Sequence, residues 1–596
     1  MKKKILYYSF VIFLLLGAII DLNPSLSFFS SFRYNSIDII MLFLLLYLLH
    51  NNKSEDKNKY VTIVSGLLIG LLHLIGYGIF NYNSLNFLLS CPSCFIKSIL
   101  KLLYYSYIYY NISLFIYNYI SSNPKIKYNV RKEIKLLDSS KKSFIIRMIL
   151  FLLAFIPFFL NEYPGTFTVD SISEMYSAIN QIDSLVNHHP VLHIYIISLF
   201  LNIGLNLFKS LTVGIAFYSI AQMIFTAFTF SYIIYFLSQE KINDIIKLIT
   251  FLFFLLYPPF AAYSITMWKD IPFALTFIYF SIQIIKIFGH DDYLSKKTNV
   301  FKVFISAIMF ILFKNNGIYV VVLSFLIYVL FYKKEQKKLF TLLLMIISFY
   351  AIWTRPVFKL LNVSQGPVKE SLSVPIQQLS RTYVYRKNKL TSKEKKIIKS
   401  YIQNEDIEKN YYPFISDNMK ETFNDKLFKK NKMDFFKIWI SLFFKYPDIY
   451  FESYFLGSIG YWYPEVDNYI IEDWFDYDSI TVIKYEKKPL VKIALVDKMK
   501  YFVNSRKIPI LSIFFSIGFY FWILLLNIGL FVYNKKYNYL YIFMPVLFLW
   551  LTTTASPVWC EFRYIYPMIM VVPVLLSYSI GQFKKVNNTK KKQRKS

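Results

Sequence analysis

Fourteen apolar runs punctuate this 596-residue chain, and the Lys and Arg between them fall on alternate sides. No feature restricts the fold more. The runs lie near 6–22, 36–50, 60–80, 95–119, 144–160, 211–237, 246–262, 271–287, 301–313, 317–332, 339–353, 508–533, 537–552 and 565–581. A bilayer core takes about 20 residues of helix and leaves no backbone unpaired. With the N-terminus placed inside, the inner segments carry thirty Lys and Arg and the short outer segments carry five. That asymmetry is the positive-inside pattern. Composition agrees: 56% of residues are hydrophobic and 17% charged, against about 25% charged in an ordinary globular chain. Soluble, disordered and collagen-like classes are excluded. The net charge of +31 follows largely from the inner loops, so no nucleic-acid partner is called for. The expectation is an all-α polytopic membrane protein of about 14 transmembrane helices, with both termini cytoplasmic.

The run 191–208 does not fit that alternation, and it is read as a helix at the outer interface or packed beside the bundle. The organisation then reads as an N-terminal four-helix membrane extension, 1–143, and a membrane core, 144–353, with a first outer loop 161–210. A mixed extracytoplasmic domain follows, 354–507, whose helices near 434–446 and 449–460 lie on the membrane face. Three C-terminal spans fill 508–583, and a basic cytoplasmic tail ends the chain, 584–596. Cys91-Pro-Ser-Cys94 has redox-type spacing, but two small residues in a short loop explain it as well.

The spans carry few charges, so polar residues at their outer ends point to a site at the outer membrane face. The densest cluster runs from Asn161 through Glu162 and Asp170 to Glu174. Ser171-x-x-Glu174 matches a capping box and sets a helix start near 172, with Asp170 just before it. Asp170 is then either a helix-start acid or a fixed carboxylate acting on a hydroxyl. His188, His189 and His193 follow. His189 and His193, four apart, share a helix face and suit loop shaping or phosphate contact better than a metal. Lys269-Asp270-Ile-Pro272 opens a later span, with Asp270 and Pro272 as start signals. Lys269 stands outside against the charge bias. Lys314, Arg355 and Arg563 are further lone cations on that face. In the large outer segment, Gln377 and Arg381 are four apart. Tyr461 and Trp462 beside Gly turns suit either stacking on a sugar ring or an interfacial belt.

The blocks Pro164-Gly-Thr-Phe-Thr-Val-Asp170-Ser, His188-His-Pro-Val-Leu-His193, Tyr218-Ser-Ile-Ala-Gln222, Lys269-Asp270, Ser371-Leu-Ser-Val-Pro-Ile-Gln-Gln and Phe562-Arg563-Tyr564 resemble the DUF6020 family of bacterial membrane proteins over roughly 145–581. More distantly, the layout resembles the GT-C glycosyltransferases, in which an acidic residue sits on the first long outer loop. That resemblance implies a GT-C-like fold, Asp170 as catalytic acid residue and a polyprenyl-phosphate-linked sugar as donor. Lys269, Asp270, Arg355, Gln377, Arg381, Arg563, His188, His189 and His193 would bind donor phosphate or substrate. Glu162, Glu174, Tyr461 and Trp462 would shape the loop or meet the acceptor, an outer-face glycan, polymer or protein. Asp170 and Glu162 are the pair that could hold a divalent cation, Mg or Mn. The expected location is a bacterial cytoplasmic membrane, in contact with its lipids. The alternatives are a transporter or flippase of lipid-linked sugars, or a non-enzymatic protein of envelope assembly.

Overall fold

The computed structural model describes residues 2–32, 36–51, 56–122, 134–466, 470–471, 488–505, 512–558 and 560–593. Among them the chain is helical, with isolated bridges and no strand. Among the described residues eight helices are long and apolar enough to cross a membrane. They are Lys59–Tyr82, Lys141–Asn161, Val191–Phe208, Leu211–Gln239, Asp270–Gly289, Lys333–Leu360, Tyr537–Ala555 and Phe562–Phe583. A ninth arises if Asp244–Leu256 and Pro258–Ser264, bent by 55°, count as one span.

This corrects the expectation of about 14. The apolar helices Asp38–Leu49, Gly317–Phe331 and Ile517–Tyr533 are shorter. At 1.5 Å per residue none of them reaches about 30 Å. Lys297–Phe313 has 17 residues. The helix Pro92–Ser122 is long, but Lys97 and Lys101 interrupt its apolar run. Both are buried, and Lys101 pairs with Asp38 at 2.6 Å. Hydropathy marks such segments as buried without saying whether lipid or protein does the burying. Val191–Phe208 is long and apolar enough to span by length and composition alone. It packs closely on Leu211–Gln239, where a Cβ on Gly204 would stand 2.3 Å from the Gly214 nitrogen. Small residues at that crossing let the two backbones meet.

The segment 354–507 is likewise not a mixed domain. Its described residues form helices, chiefly Ser373–Arg386, Ser392–Tyr401, Lys432–Lys445 and Pro447–Ser458. They enclose a core of their own that includes Ile376, Leu379, Ile398, Phe435 and Leu442. Residues 467–469, 472–487 and 506–507 of that segment, and 594–596 of the basic tail, lie outside the described residues.

Asp270–Gly289 and Phe562–Phe583 are buried along most of their length and form the middle of the bundle. The end at which both begin is also where Lys141–Asn161 finishes. Two loops, 162–168 and 265–269, are stitched together there. Thr166 N–H donates to the Ile265 carbonyl at 3.1 Å, and Met267 N–H donates to the Thr166 carbonyl at 3.1 Å. The chain turns into this contact at Gly165, whose φ of +154° favours glycine. A Cβ there would lie 2.3 Å from Ser219 Oγ.

Candidate functional site

The helix Val169–Asn180 starts three residues earlier than its capping signal suggested. Thr168 takes the capping position. Its N–H donates to Ser171 Oγ at 3.1 Å, and Ser171 Oγ donates to the Met267 carbonyl at 2.7 Å. Asp170 therefore sits in the first turn, where the positive end of the helix favours a carboxylate. Glu174 lies one turn on, on the buried face of the helix.

Three separate parts of the chain converge on Asp170. Lys269 Nζ and Arg563 Nη1 both stand 2.9 Å from the same oxygen, Oδ2. Oδ1 has no protein donor among the described residues, and the side chain is 25% exposed. Burial pushes the Asp170 carboxyl up, but Lys269, Arg563 and His189 outweigh it and hold the group below the usual carboxylate range. Burial likewise opposes the charge on Lys269, and Asp170, Glu174 and Asp270 more than restore it, so its pKa is raised.

Each cation has further anchors. Lys269 Nζ is 2.8 Å from His189 Nδ1 and 3.8 Å from Glu174 Oε1. Arg563 pairs through Nε with Glu561, reaches the Tyr564 hydroxyl at 3.1 Å, and lies 4.9 Å from the ring centre of Trp268. The Trp268 indole N–H donates to Thr168 Oγ1, which ties that ring to the cap of Val169–Asn180. Beside this group Lys314 Nζ meets Asp270 Oδ1 at 2.5 Å. Burial raises the Glu561 carboxyl, and the neighbouring Asp170 and Asp270 add to that rise, against Arg563.

Behind Lys269 lies a buried relay. Glu174 is fully enclosed, with Oε1 3.2 Å from His189 Nδ1 and Oε2 2.7 Å from His193 Nδ1. His193 Nε2 is 2.7 Å from the Tyr218 hydroxyl, which donates to Gln222 Oε1 at 2.9 Å. The Gln222 amide nitrogen faces three carbonyls, of Tyr263, Ser264 and Thr266, at 2.8 to 3.1 Å. Proton counting settles the direction of the chain. Gln222 Nε2 donates, so its oxygen accepts, and Tyr218 spends its one hydrogen there. His193 Nε2 must then carry a hydrogen, and His193 Nδ1 faces the Glu174 carboxylate as a close polar contact. Burial raises the Glu174 carboxyl, but His193, His189 and Lys269 outweigh it and hold the group below its usual range.

Of the residues singled out in the sequence, Asp170, Glu174, His189, His193, Lys269, Asp270 and Arg563 are brought into this one network. His188 is exposed at its rim, with its ring 4.5 Å from that of His189. Although its surface is open, the packed network beneath the ring withholds water from it, and that desolvation, with His189 and Lys269, lowers its pKa.

The others fall elsewhere. Glu162 pairs with Lys500 at 2.6 Å. Arg355 is exposed in the turn 353–357. Gln377 donates to the Tyr412 and Ile415 carbonyls, both at 2.9 Å. Arg381 is wholly buried against Glu452 at 2.9 Å and the Asn83 carbonyl at 2.6 Å. Tyr461 and Trp462 are buried, and their carbonyls accept from Trp550 and Trp522. Neither ring is an open platform for a sugar. A small pocket lined by Ser373, Gln377, Ser453, Pro557 and Val558 among others is separate from the ion network.

The sequence reading missed four members of the network: Glu561, Trp268, Tyr218 and Gln222. The last two were detectable, as a polar pair four apart inside an apolar helix. It also left Lys314 unassigned among the lone cations.

Among the described residues, no group of three or more His, Cys, Asp or Glu has a metal-holding arrangement. The donors around Asp170 do not suit a divalent ion either. Two cations occupy one of its oxygens, and Glu162 is engaged with Lys500.

A family model matches residues 179–594, which is 416 of the 596 residues. The chain belongs to DUF6020, a family of unknown function. The DUF6020 match takes in the histidines, Lys269 and Arg563, and begins just after Asp170 and Glu174. No curated protein and no solved structure matches the chain, so nothing found ties this DUF6020 member to the GT-C superfamily.

Proposed function

We propose that this DUF6020 protein transfers a sugar from a polyprenyl-phosphate-type donor to an acceptor at the outer face of a bacterial cytoplasmic membrane. One observation carries the reading: Asp170, Lys269 and Arg563, distant in sequence, meet at one part-open point at the end of an apolar bundle. A carboxylate beside two fixed cations suits transfer from a phosphate ester, the carboxylate as base and the cations as partners of the phosphate. An outward orientation is part of this proposal; the segments bearing Asp170, Lys269 and Arg563 carry one Lys or Arg each, and charge-poor loops are favoured outside.

Lys269 and Arg563 would hold the donor phosphate and take up charge on it as the sugar leaves. The acceptor oxygen forms a bond to the anomeric carbon while the bond from that carbon to the phosphate oxygen breaks, its electron pair going to the phosphate. The acceptor proton goes to Asp170. Lys314, held by Asp270, adds a third cation nearby. The Glu174–His193–Tyr218–Gln222 chain keeps Lys269 and His189 in register with the 263–266 loop. No metal is needed in this scheme, and none of its steps uses one.

The test compares surface glycans of cells with the gene, without it, and with Asp170→Asn. Loss of the gene removes a glycan. Asp170→Asn removes it equally while the protein reaches the membrane, since a missing general base costs about 10²- to 10⁴-fold. Identical glycans in all three strains would end the proposal.

A further inference from the structure

The resting site raises a problem for Asp170 as a base. Two cations on one of its oxygens hold the group below the usual carboxylate range, and a base so depressed is weak. The geometry suggests how the weakness is relieved. Lys269 does not depend on Asp170 for its position, since His189 and Glu174 hold it from behind. Arg563 does not depend on it either, because Glu561, Tyr564 and the face of Trp268 hold it. Remove the carboxylate, and two donors still aim at the point now filled by Oδ2. The cations are nearly enclosed, at 10% and 11% side-chain exposure, whereas Asp170 is 25% exposed and stands on the open side. It is joined to the backbone of a helix first turn by a short side chain, and rotation about that side chain can withdraw it without moving either cation.

We infer that Asp170 Oδ2 occupies the place of a substrate phosphate oxygen, and that an incoming phosphate ester displaces Asp170 from Lys269 and Arg563, freeing the carboxylate to take the acceptor proton. The inference rests on the lipid-phosphate reading of the site and adds an order of events. The site is closed by its own anion until donor arrives, so base strength is coupled to occupancy. With both cations turned to phosphate, the two influences that depress Asp170 weaken together and its basicity rises. Without donor the base stays quenched, which protects against idle proton transfer at an open membrane surface.

The prediction runs against the usual expectation for an active-site variant. Asp170→Asn removes the competing anion and should bind phosphate more tightly than the natural protein, by about tenfold, while sugar transfer is lost. The measurement is titration of the purified full chain in detergent with farnesyl phosphate as a sugar-free probe, and in parallel with inorganic phosphate. Asp170→Ala serves as the second variant, and a monodisperse elution profile checks that each is folded. Arg563→Gln and Lys269→Met should each weaken farnesyl phosphate binding by about tenfold or more.

Tighter binding of farnesyl phosphate by either Asp170 variant supports the displacement. An equal gain for inorganic phosphate also supports it, while removing the lipid tail from the proposed function. Tighter binding without any glycan change in cells would leave the displacement standing and sink the transfer reaction. Folded Asp170→Asn and Asp170→Ala proteins that bind both probes no better than the natural chain would overturn the inference.

Discussion

Two buried arginine–carboxylate contacts in this molecule look alike on paper and behave differently in their surroundings. Arg381 is wholly enclosed and gives Nε and Nη2 to Glu452, with Nη2 also reaching the Asn83 carbonyl, and the other Glu452 oxygen accepts from Leu85 N–H at 2.8 Å. Every strong partner is protein, and the contact ties the helical domain to the 83–85 turn of the N-terminal bundle. Arg563 meets Asp170 in a part-open cluster where one carboxylate oxygen takes two cations and the other takes no donor among the described residues. A saturated pair can only hold structure. An unevenly satisfied one can exchange partners, and that difference separates a latch from a candidate site.

The largest effect that would test this contrast is on stability at the latch. Arg381→Met leaves Glu452 buried without its cation, which costs about 3–5 kcal/mol. Thermal unfolding in detergent should show that loss, and Glu452→Gln in the same chain should return part of it. A small change for Arg381→Met would mean that the pair is not structural. A middle-sized effect is expected at the relay. Glu174→Gln keeps the shape but removes the buried charge that faces His189, His193 and Lys269, at about 1–3 kcal/mol. Tyr218→Phe should cost about 1 kcal/mol, and the two changes together should cost less than their sum, because both act on one chain of hydrogen bonds.

Acid should remove the contribution that the site's carboxylates make to stability. Asp170 and Glu174 are held below their ordinary values in the folded protein. Their stabilisation is therefore complete above the unfolded-state pKa, near 4, and is lost as pH falls below it. The stability gap between the natural chain and Asp170→Asn should stay constant from pH 6 to 8 and narrow below about pH 4. Lys269 is raised, so its contribution holds at all pH values below about 10 and does not blur that window. A gap that widens in acid would contradict the assignment.

The two regions also differ in how much of them could be read from residues alone. The site was largely legible because charges at the ends of apolar runs have few reasons to be there: Asp170, Lys269, Asp270 and Arg563 stood out on position. Glu174 was misplaced as a capping residue because Thr168 and Ser171 both offer a capping hydroxyl, and only the fold decides between them. Glu561 was hidden beside Arg563, where an adjacent acid and base look like an ordinary surface pair. The latch was not legible at all. Gln377 and Arg381 are four apart on one helix, but Arg381 meets Asn83 and Glu452, roughly 300 and 70 residues away, while Gln377 meets the Tyr412 and Ile415 carbonyls. The span count failed for a related reason. Gly317–Phe331 is apolar throughout, yet a run of that length can be covered by neighbouring helices as readily as by lipid.

Arg355 provides the smallest expected effect and the sharpest check on the boundary of the site. By sequence it carried the same weight as Lys269: a lone cation at the outer end of an apolar run. In the fold it is exposed in the 353–357 turn, outside the ion network. Arg355→Gln should therefore change stability by no more than about 0.5 kcal/mol and leave farnesyl phosphate binding at the natural level, apart from a slight weakening at low salt through long-range attraction. Repeating the titration at two ionic strengths separates the cases. A loss that disappears in salt is distant steering. A loss that persists in salt would place Arg355 in direct contact with the ligand, and the site would then extend from the Asp170 cluster to the end of the Lys333–Leu360 helix.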